Sequence, residues 1–588
     1  MKNKTDNQIK NMLKRVMIIT TCSGFVTLLG TFVDNVMIGK YLGAVSVSAC
    51  SLATPVLLFC IAISSIFNGG GRINVTRYLG AGNTKAANNI FTVVTITIAI
   101  IGILIGGVLF FANTPIALLL GAGKTPDLLN QTSFYIKGLA FGMPALMIMF
   151  CMTSYLQLEG DNIKLFISMG IMLLSNVAGD IVGLAVLKGN LFHVAIATSV
   201  SNILGFIVVC SHFFGKRSIF RVNLRKLEWK DMRDVVVRGM PSAMQRIYSA
   251  TANLGMNLIV LSLAGVTCSA AQAVRGNVSA IFLTVGSSLG LATTTVAGLL
   301  YGEEDRAGLQ KAQKIALDLA LKTTLVMAVI LFFCAEPVAY IFLPKSPEAL
   351  AIARQALRIF SFAIPFSAIC DVMFGYYQAI GRSRLANVIP LLEYLVLPIG
   401  LSSILGRTSL RENGIWIAYP LAEVLTLVVL IIIISVMNRR LSIRPEDMVV
   451  IPEGIGVADT DLYEGTVVDL NSVVEASKET FDFALEKSGD KIKAQKLSIA
   501  VEELGKNVVE HGFPGVAKPN LTIRVMWKNG EFILCMKDNC KAFDPKKKYR
   551  LEVDKYLSEE MGLKIVFGIC DNIEYSNTLN MNCLRITI

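Results

Sequence analysis

Twelve apolar stretches, each about long enough to cross a bilayer, follow one another between residues 16 and 437. They occupy residues 16–37, 48–70, 89–112, 134–157, 163–187, 191–214, 236–264, 274–300, 315–341, 357–380, 385–406 and 414–437. A bilayer core of about 30 Å needs roughly 20 apolar residues of helix, and segments of this length satisfy their own backbone in lipid only as helices. The chain has 588 residues, 53% hydrophobic and 17% charged, against about 25% charged in a typical soluble protein. The deficit ends near residue 438, beyond which the chain reads as soluble protein. The fold class expected is an all-α polytopic membrane protein followed by a soluble α+β two-layer sandwich.

The net charge of +12 does not point to nucleic acid, because the basic residues sit in short loops between apolar spans. Lys2, Lys4, Lys10, Lys14 and Arg15 precede the first span, and Arg72, Arg77 and Lys85 are read as the second loop. The sixth loop carries Lys216, Arg217, Arg221, Arg225, Lys226, Lys230 and Arg233. Arg306, Lys311 and Lys314 follow the eighth span, and Arg439, Arg440 and Arg444 follow the last. The positive-inside rule makes that side cytoplasmic, so a multi-pass protein of the cell membrane with both termini inside is expected. Several of the twelve cysteines lie within apolar spans and no Cys-x-x-Cys occurs, which favours small buried apolar residues over disulfides. His193, His212 and His511 form no metal-binding pattern. No cleavable signal peptide is expected, since the first apolar span outruns a signal h-region.

The two halves match when shifted by 221 residues: Lys137 falls on Arg358, Phe141 on Phe362, Pro144 on Pro365, Met152 on Met373, Tyr155 on Tyr376, Gln157 on Gln378 and Gly160 on Gly381. A shift across six helices preserves orientation, so the repeats are parallel. Two such repeats imply two lobes around a central cleft, the architecture of a rocking transporter. The domains expected are an N-lobe at 10–214, a C-lobe at 215–437, a linker at 438–460 and a soluble domain at 461–588.

Residues Thr31-Phe-Val-Asp-Asn-Val-Met-Ile-Gly39 with Tyr41-Leu-Gly43, Gln157-Leu-Glu-Gly-Asp161 and Asn176-Val-Ala-Gly-Asp180 resemble, in that order, motifs of multidrug and toxic compound extrusion (MATE) transporters. The resemblance covers about residues 10–437. It implies antiport, in which entry of Na⁺ or H⁺ drives export of a bulky, often cationic organic compound.

A carboxylate within a span costs a few kcal/mol and needs a partner or a purpose. Asn176 and Asp180 are four apart, hence on one helix face. Oxygens of Asp34, Asn176, Asp180 and Thr198 could cage Na⁺, or the two carboxylates could share a proton; a polar network that only fixes packing is the alternative. The resemblance implies that these motif positions bind the coupling cation. In the C-lobe, Ser249 stands where some family members carry a glutamate, which argues against a C-lobe coupling site. Asp371, Glu393 and Glu423 remain as substrate-cavity candidates, with Arg246 and Arg275 as possible salt-bridge partners.

In the tail, helices are read at 471–488, 491–511 and about 555–569, and strands at 520–526, 531–538 and 582–588, with Lys528-Asn-Gly530 as a hairpin turn. Glu503, Asn507 and His511 repeat at four and should share a helix face. A carboxylate there can activate water and an amide oxygen can ligate Mg²⁺ held on phosphates. With Asp538-Asn539 and Phe543-Asp544-Pro545 they resemble the ATP-binding domain of histidine kinases, gyrase and, most closely, anti-sigma-factor serine kinases. The resemblance implies Glu503 as general base, Asn507 as ligand of ATP-bound Mg²⁺, Asp538 reading adenine, and His511 and Gly562 beside the nucleotide. Asp538-Asn-Cys540, a lid reduced to Met561-Gly562-Leu563, and Asn582-Cys583 lack glycines that would let the backbone approach phosphate.

The leading expectation is a cation-coupled exporter of drugs or other bulky organic compounds whose tail senses Mg-ATP or binds an anti-anti-sigma-like or other regulatory protein. A membrane sensor or serine kinase built on a transporter, and a lipid-intermediate flippase, are the alternatives. The connector, with an r.m.s. span of about 25–29 Å, places the tail under the membrane face near the sixth loop.

Overall fold

The structure is a computed structural model. It describes every residue except Met1, 216–217, 225–226, Lys345, Ile443, Pro445, Glu453, Ala517, 546–560 and Asp571, with backbone alone for 2–5, Ala44, Lys124, Val266 and Met561. Lys216, Arg217, Arg225 and Lys226 of the sixth loop, Pro445 of the connector and the 555–560 part of the last tail helix lie outside the described residues.

Ten described helices are long and apolar enough to cross a membrane, and twelve spans result when each of two bent pairs is one crossing. In the N-lobe these are Asp6–Tyr41, Val45–Gly80, Thr84–Phe111, the pair Pro126–Ala140 with Met143–Leu158, Asn162–Val186 and Leu191–Phe213. The C-lobe has Met232–Gly265, Thr267–Gly302, Arg306–Phe342, the pair Pro347–Ser361 with Ala363–Ala379, Ser383–Leu405 and Glu412–Asn438. We refer to them as the first to twelfth spans. The bends, 52° in the fourth span and 44° in the tenth, fall where the repeat aligns Phe141 with Phe362 and Pro144 with Pro365. Each proline lacks the N–H that would bond four residues back, to Ala140 or Ser361, so the helix breaks there.

Several helices run past their apolar stretch. Arg72 and Arg77, read from sequence as loop residues, lie inside the second span. Arg72 is buried and donates to the Ser154 hydroxyl. Arg77 donates to the Ala379 carbonyl of the C-lobe and stacks 3.9 Å from the Tyr301 ring. Lys85, Arg233, Arg306, Lys311 and Lys314 are likewise helical.

The lobes close on each other near these arginines. A Cβ added at Gly70 would fall 1.8 Å from the Val235 carbonyl oxygen, and one at Gly239 would fall 1.8 Å from that of Ile66. Backbones of the second and seventh spans therefore touch directly, as small residues permit between membrane helices. Just beyond, Gly80-Ala-Gly-Asn83 and Gly302-Glu-Glu-Asp305 form matching turns, one per lobe. Gly82 and Glu304 both have positive φ, 76° and 57°. Asn83 and Asp305 cap the helices that follow, accepting from Ala86 N at 2.9 Å and Gly308 N at 2.7 Å.

Among the described residues, the tail forms one antiparallel sheet of five strands: β1 (Leu462–Val467), β2 (Leu521–Lys528), β3 (Glu531–Asp538), β4 (Asn572–Thr578) and β5 (Met581–Thr587), in the order β1-β2-β3-β5-β4. Helices Leu470–Ser488, Lys491–Asn507 and Met561–Ile569 cover one face, and Val501, Leu521, Ile523, Leu534 and Ile586 fill the core between. Asn529 and Gly530 turn the β2–β3 hairpin with φ 55° and 83°. Strands β1 and β4 were not legible in the sequence.

Alternate residues of a strand point to opposite faces, and the second face of this sheet packs on the membrane domain. Lys537 pairs with Glu303, Lys528 with Glu304 at 2.5 Å, and Arg524 donates to the carbonyls of Glu303 and Glu304 at 3.1 and 3.0 Å. On the N-lobe side, Leu579 N donates to Leu158 O at 2.8 Å. Arg15 donates at 2.7 Å to the Asn580 amide, oriented oxygen towards it. A cavity of about 160 Å³ remains between sheet and spans. The connector lies along the C-lobe, where Tyr377 Oη donates to Met448 O at 2.8 Å and Arg382 Nε to Val450 O at 3.2 Å. Gly82 lies against Arg585 and Glu574 of the tail, so the tail's contacts run to the turns after the second, fourth and eighth spans and to Arg15 of the first. The sixth loop is fastened to the N-lobe instead: Glu159 accepts from Ile219 N at 2.6 Å, Phe220 N at 2.9 Å and Ser218 Oγ at 2.9 Å.

Candidate functional site

In the N-lobe, the first span brings Asp34 against the fifth, where Asn176 Nδ2 donates to Asp34 Oδ1. Asp180, one turn along the same face as Asn176, is fully buried, and its carboxyl group lies in hydrogen-bonding reach of Asp34. Neither Asp180 oxygen receives a hydrogen bond from a donor, nor does Asn176 Oδ1. Three shielded oxygens without a donor, beside a fourth on Asp34, fit a hard cation or a shared proton. Among the described residues no Lys, Arg or His forms an ion pair with either carboxylate. Thr198 sits on the sixth span; its hydroxyl donates to Val194 O at 3.1 Å, leaving its lone pairs available. Gly179 packs closely on Ala197, so the neighbouring Asp180 and Thr198 belong to one helix contact. Tyr135, hydrogen-bonded to Cys50, also faces this site. It escaped the sequence reading because a tyrosine inside an apolar stretch carries no pattern of its own.

Directly after Asp180 the helix loosens into a π-turn, Ile181–Val186, and in the eleventh span a second π-turn, Leu391–Val396, carries Glu393. π-Turns concentrate at functional positions, and residue spacing does not announce them.

Asp371, Glu393 and Glu423 gather inside the C-lobe. Asp371 and Glu393 are buried at 3% exposure. Asp371 accepts from Gln245 Nε2 at 3.4 Å, and Glu393 accepts from Ser367 Oγ at 3.0 Å. Cys370, Glu393 and Glu423 place one ligand atom each within 4.8 Å of the others. Among the described residues, the salt bridges to Arg246 and Arg275 that the sequence left open are not formed. Arg275 turns to Gln272 Oε1 at 3.0 Å and stacks 3.8 Å from the Tyr419 ring, while Arg246 is exposed. A guanidinium loses less hydration on an aromatic face than an ammonium would, so Tyr419 serves Arg275 without a carboxylate.

In the tail, Glu503 and Asn507 occupy one helix, but the helix becomes a π-turn at Val508–Gly512. A spacing of four therefore no longer dictates a shared face for His511, which is exposed. The Asp538 carboxylate is already engaged: its Oδ1 accepts from Asn582 Nδ2 at 2.7 Å and Cys540 N at 2.9 Å. Burial pushes the Asp538 carboxyl above its usual range, and these two bonds only partly oppose the shift. Asn582, a departure from the family's sequence, is thus a structural partner of Asp538. Gly562 begins the last helix pressed against Glu503; an added Cβ would lie 1.8 Å from Glu503 Oε2. Gly562 thus fills space beside the base position, and among the described candidates Asn507 keeps an amide oxygen suited to Mg²⁺ on a nucleotide.

The MatE family pattern matches residues 20–182 and again 241–404, once per lobe. The histidine kinase-like ATPase domain pattern matches residues 467–588. The chain is 22% identical over 408 residues to the multidrug export protein MepA of Staphylococcus saprophyticus, covering 68% of this chain and 88% of that protein. It is 20% identical over 415 residues to the probable multidrug resistance protein YoeA of Bacillus subtilis, again covering 68% and 88%. A crystal structure of MATE in complex with MaL6 superimposes with a TM-score of 0.68 at 21% identity, covering 72% of this chain and 94% of that one. With both lobes matched over more than half its length, the chain belongs to the MatE family and carries a histidine kinase-like ATPase domain at its C-terminal end.

Proposed function

We propose that this protein exports bulky organic compounds in exchange for Na⁺ or H⁺, with both termini and the tail in the cytoplasm of a cell-membrane protein. The observation that carries this reading is the meeting of Asp34, Asn176 and Asp180, where shielded oxygens lack donors. Such groups are costly in a span without a partner; a visiting cation or proton relieves that cost, and its exchange couples its gradient to the lobes' rocking. Names given to the relatives, a multidrug export protein and a probable multidrug resistance protein, support an organic substrate. Dye efflux from vesicles holding the purified protein, under Na⁺ and proton gradients imposed one at a time, tests it. Export that responds to neither gradient would refute the coupling.

The tail acts as a brace. It holds Glu303 and Glu304 of the C-lobe and Leu158 of the N-lobe at once, while the spans above it are closed against each other. Any ligand or partner that binds the free tail better than the docked one releases the brace. With Asp538 engaged and Glu503 covered, a protein partner fits this role better than tightly held ATP. Deleting residues 455–588 separates brace from passenger: unchanged transport rate, coupling and substrate range would refute regulation.

A further inference from the structure

We propose that the C-lobe holds a binding site for one thiophilic divalent cation of the Zn²⁺ type, formed by Cys370, Glu393 and Glu423. The three residues come from the tenth, eleventh and twelfth spans, so the site exists only in the assembled lobe. One ligand atom of each lies within 4.8 Å of the others, and an ion with bonds of about 2.0–2.3 Å draws such a set together. Cys370 is about ten residues from the tail-side end of its helix, hence roughly 15 Å deep.

Two features distinguish this cluster from a packing network. The Glu423 carboxylate accepts a hydrogen bond from the Cys370 thiol, but its Oε2 is shut off from solvent and has no partner, a costly state that a bound cation removes. Among the described residues neither Glu393, 3% exposed, nor Glu423 belongs to an ion pair. Glu393 is also held in place: Ser367 Oγ donates to its Oε1 at 3.0 Å, the kind of outer bond that orients a metal-binding carboxylate. Carboxylates alone would suit Mg²⁺ or Ca²⁺, but a sulfur ligand shifts the preference to Zn²⁺ and its neighbours. As the sulfur–metal bond forms, the thiol proton leaves to solvent. The site does not include Ser249 of the seventh span, although Gln245 of that span reaches the neighbouring Asp371, and it is distinct from the N-lobe carboxylates. It does not depend on the proposed coupling.

The experiment titrates metal-stripped, full-length protein with Zn²⁺, and with Co²⁺ as a spectroscopic stand-in. The expected result is one Zn²⁺ per chain and a sulfur-to-cobalt charge-transfer band. That band is lost in Cys370→Ser, a one-atom change, and retained in Cys334→Ser, which alters an exposed cysteine. Zn²⁺ affinity drops about tenfold or more in Glu423→Gln, with helical circular dichroism unchanged in every variant. A cobalt band that survives Cys370→Ser, or Zn²⁺ affinity within about twofold of the parent in both site variants, overturns the proposal. Loss of dye export with Zn²⁺ binding intact would count against the exporter reading alone.

Discussion

Lys537, on strand β3 of the tail, is ion-paired with Glu303 at the end of the eighth span, and the Glu303 side chain is only 4% exposed. Burial pushes the Glu303 carboxyl above its usual range in spite of the lysine. Burial pulls the Lys537 ammonium down, but the carboxylate more than offsets it. Each charge is tolerated because the other is there.

Breaking that pair is therefore expected to loosen the tail. Removing one partner of a buried pair typically costs about 3–5 kcal/mol, because the other is left uncompensated. Glu303→Gln should free the tail to the extent that a spin-label distance between tail and C-lobe broadens. Lys537→Met with Glu303→Leu should restore a narrow distance distribution, since two apolar groups leave no charge unpaired.

Asp34→Asn and Asp180→Asn should each abolish gradient-driven dye export while the protein still inserts and purifies. An amide keeps the shape and one acceptor oxygen but cannot take up a cation's charge or the exchanged proton. Wild-type efflux in both purified variants would show that the carboxylates serve packing alone.

Gly239→Ala should hold the lobes apart on the tail side. The added methyl would fall 1.8 Å from the Ile66 carbonyl oxygen, a backbone atom that cannot swing away. Cysteine labelling near that contact should increase. Gly107→Ala, where an added methyl meets nothing within 4 Å, should leave labelling unchanged.

The isolated tail, residues 455–588, should fold, because its core lies between its own sheet and helices. It should bind Mg-ATP no more tightly than about 1 mM, near −4 kcal/mol, with Glu503 covered and Asp538 engaged. Calorimetry decides this, and tight binding dependent on Asn507 would reverse the reading of the lid.

Asp538 gives a pH dependence of defined sign. Its carboxyl is raised in the folded tail by burial, so between the unfolded value and the raised one the native state binds more protons. Stability then falls as pH rises through that window. Asp538→Asn keeps an oxygen where Oδ1 accepts from Asn582 and Cys540 and removes the titration. Denaturant melts of the variant should lack this loss on going from acid to neutral pH.

Hydropathy located the ten long apolar helices and the two bent pairs that complete twelve crossings, but the bends at Pro144 and Pro365, which the sequence showed only as repeat matches, were not foreseen. Helix ends were less legible. An apolar window stops at a charge, yet the second span continues through Arg72 and Arg77, whose guanidinium groups find Ser154 and the Ala379 carbonyl. Asp34 and Asp180 were legible because carboxylates in lipid need a reason, and Asn176 because it lies one turn from Asp180. Cys370 as a partner of Glu393 and Glu423 was not, since three helices meet there without any sequence spacing. Strand β4, Asn572–Thr578, eluded the reading because Ser576 and Thr578 are buried against the membrane domain, so a polar residue there does not mark the wet side. The place of Arg275 stayed open because charge alone does not show that an aromatic ring will serve.

The matching turns at residues 80–83 and 302–305 have one more effect. Two lobes of common descent offer a docking domain nearly the same underside twice, once after a half rotation. Only side chains distinguish the two poses. Ala81 and Gly82 stand in one copy where Glu303 and Glu304 stand in the other, so a tail seated the wrong way round would bury Lys537 and Lys528 with no acid to meet them. Rejecting that pose depends on the penalty for a mismatched charge. Two glutamates thus act as a key, giving a pseudosymmetric membrane protein a defined front and back.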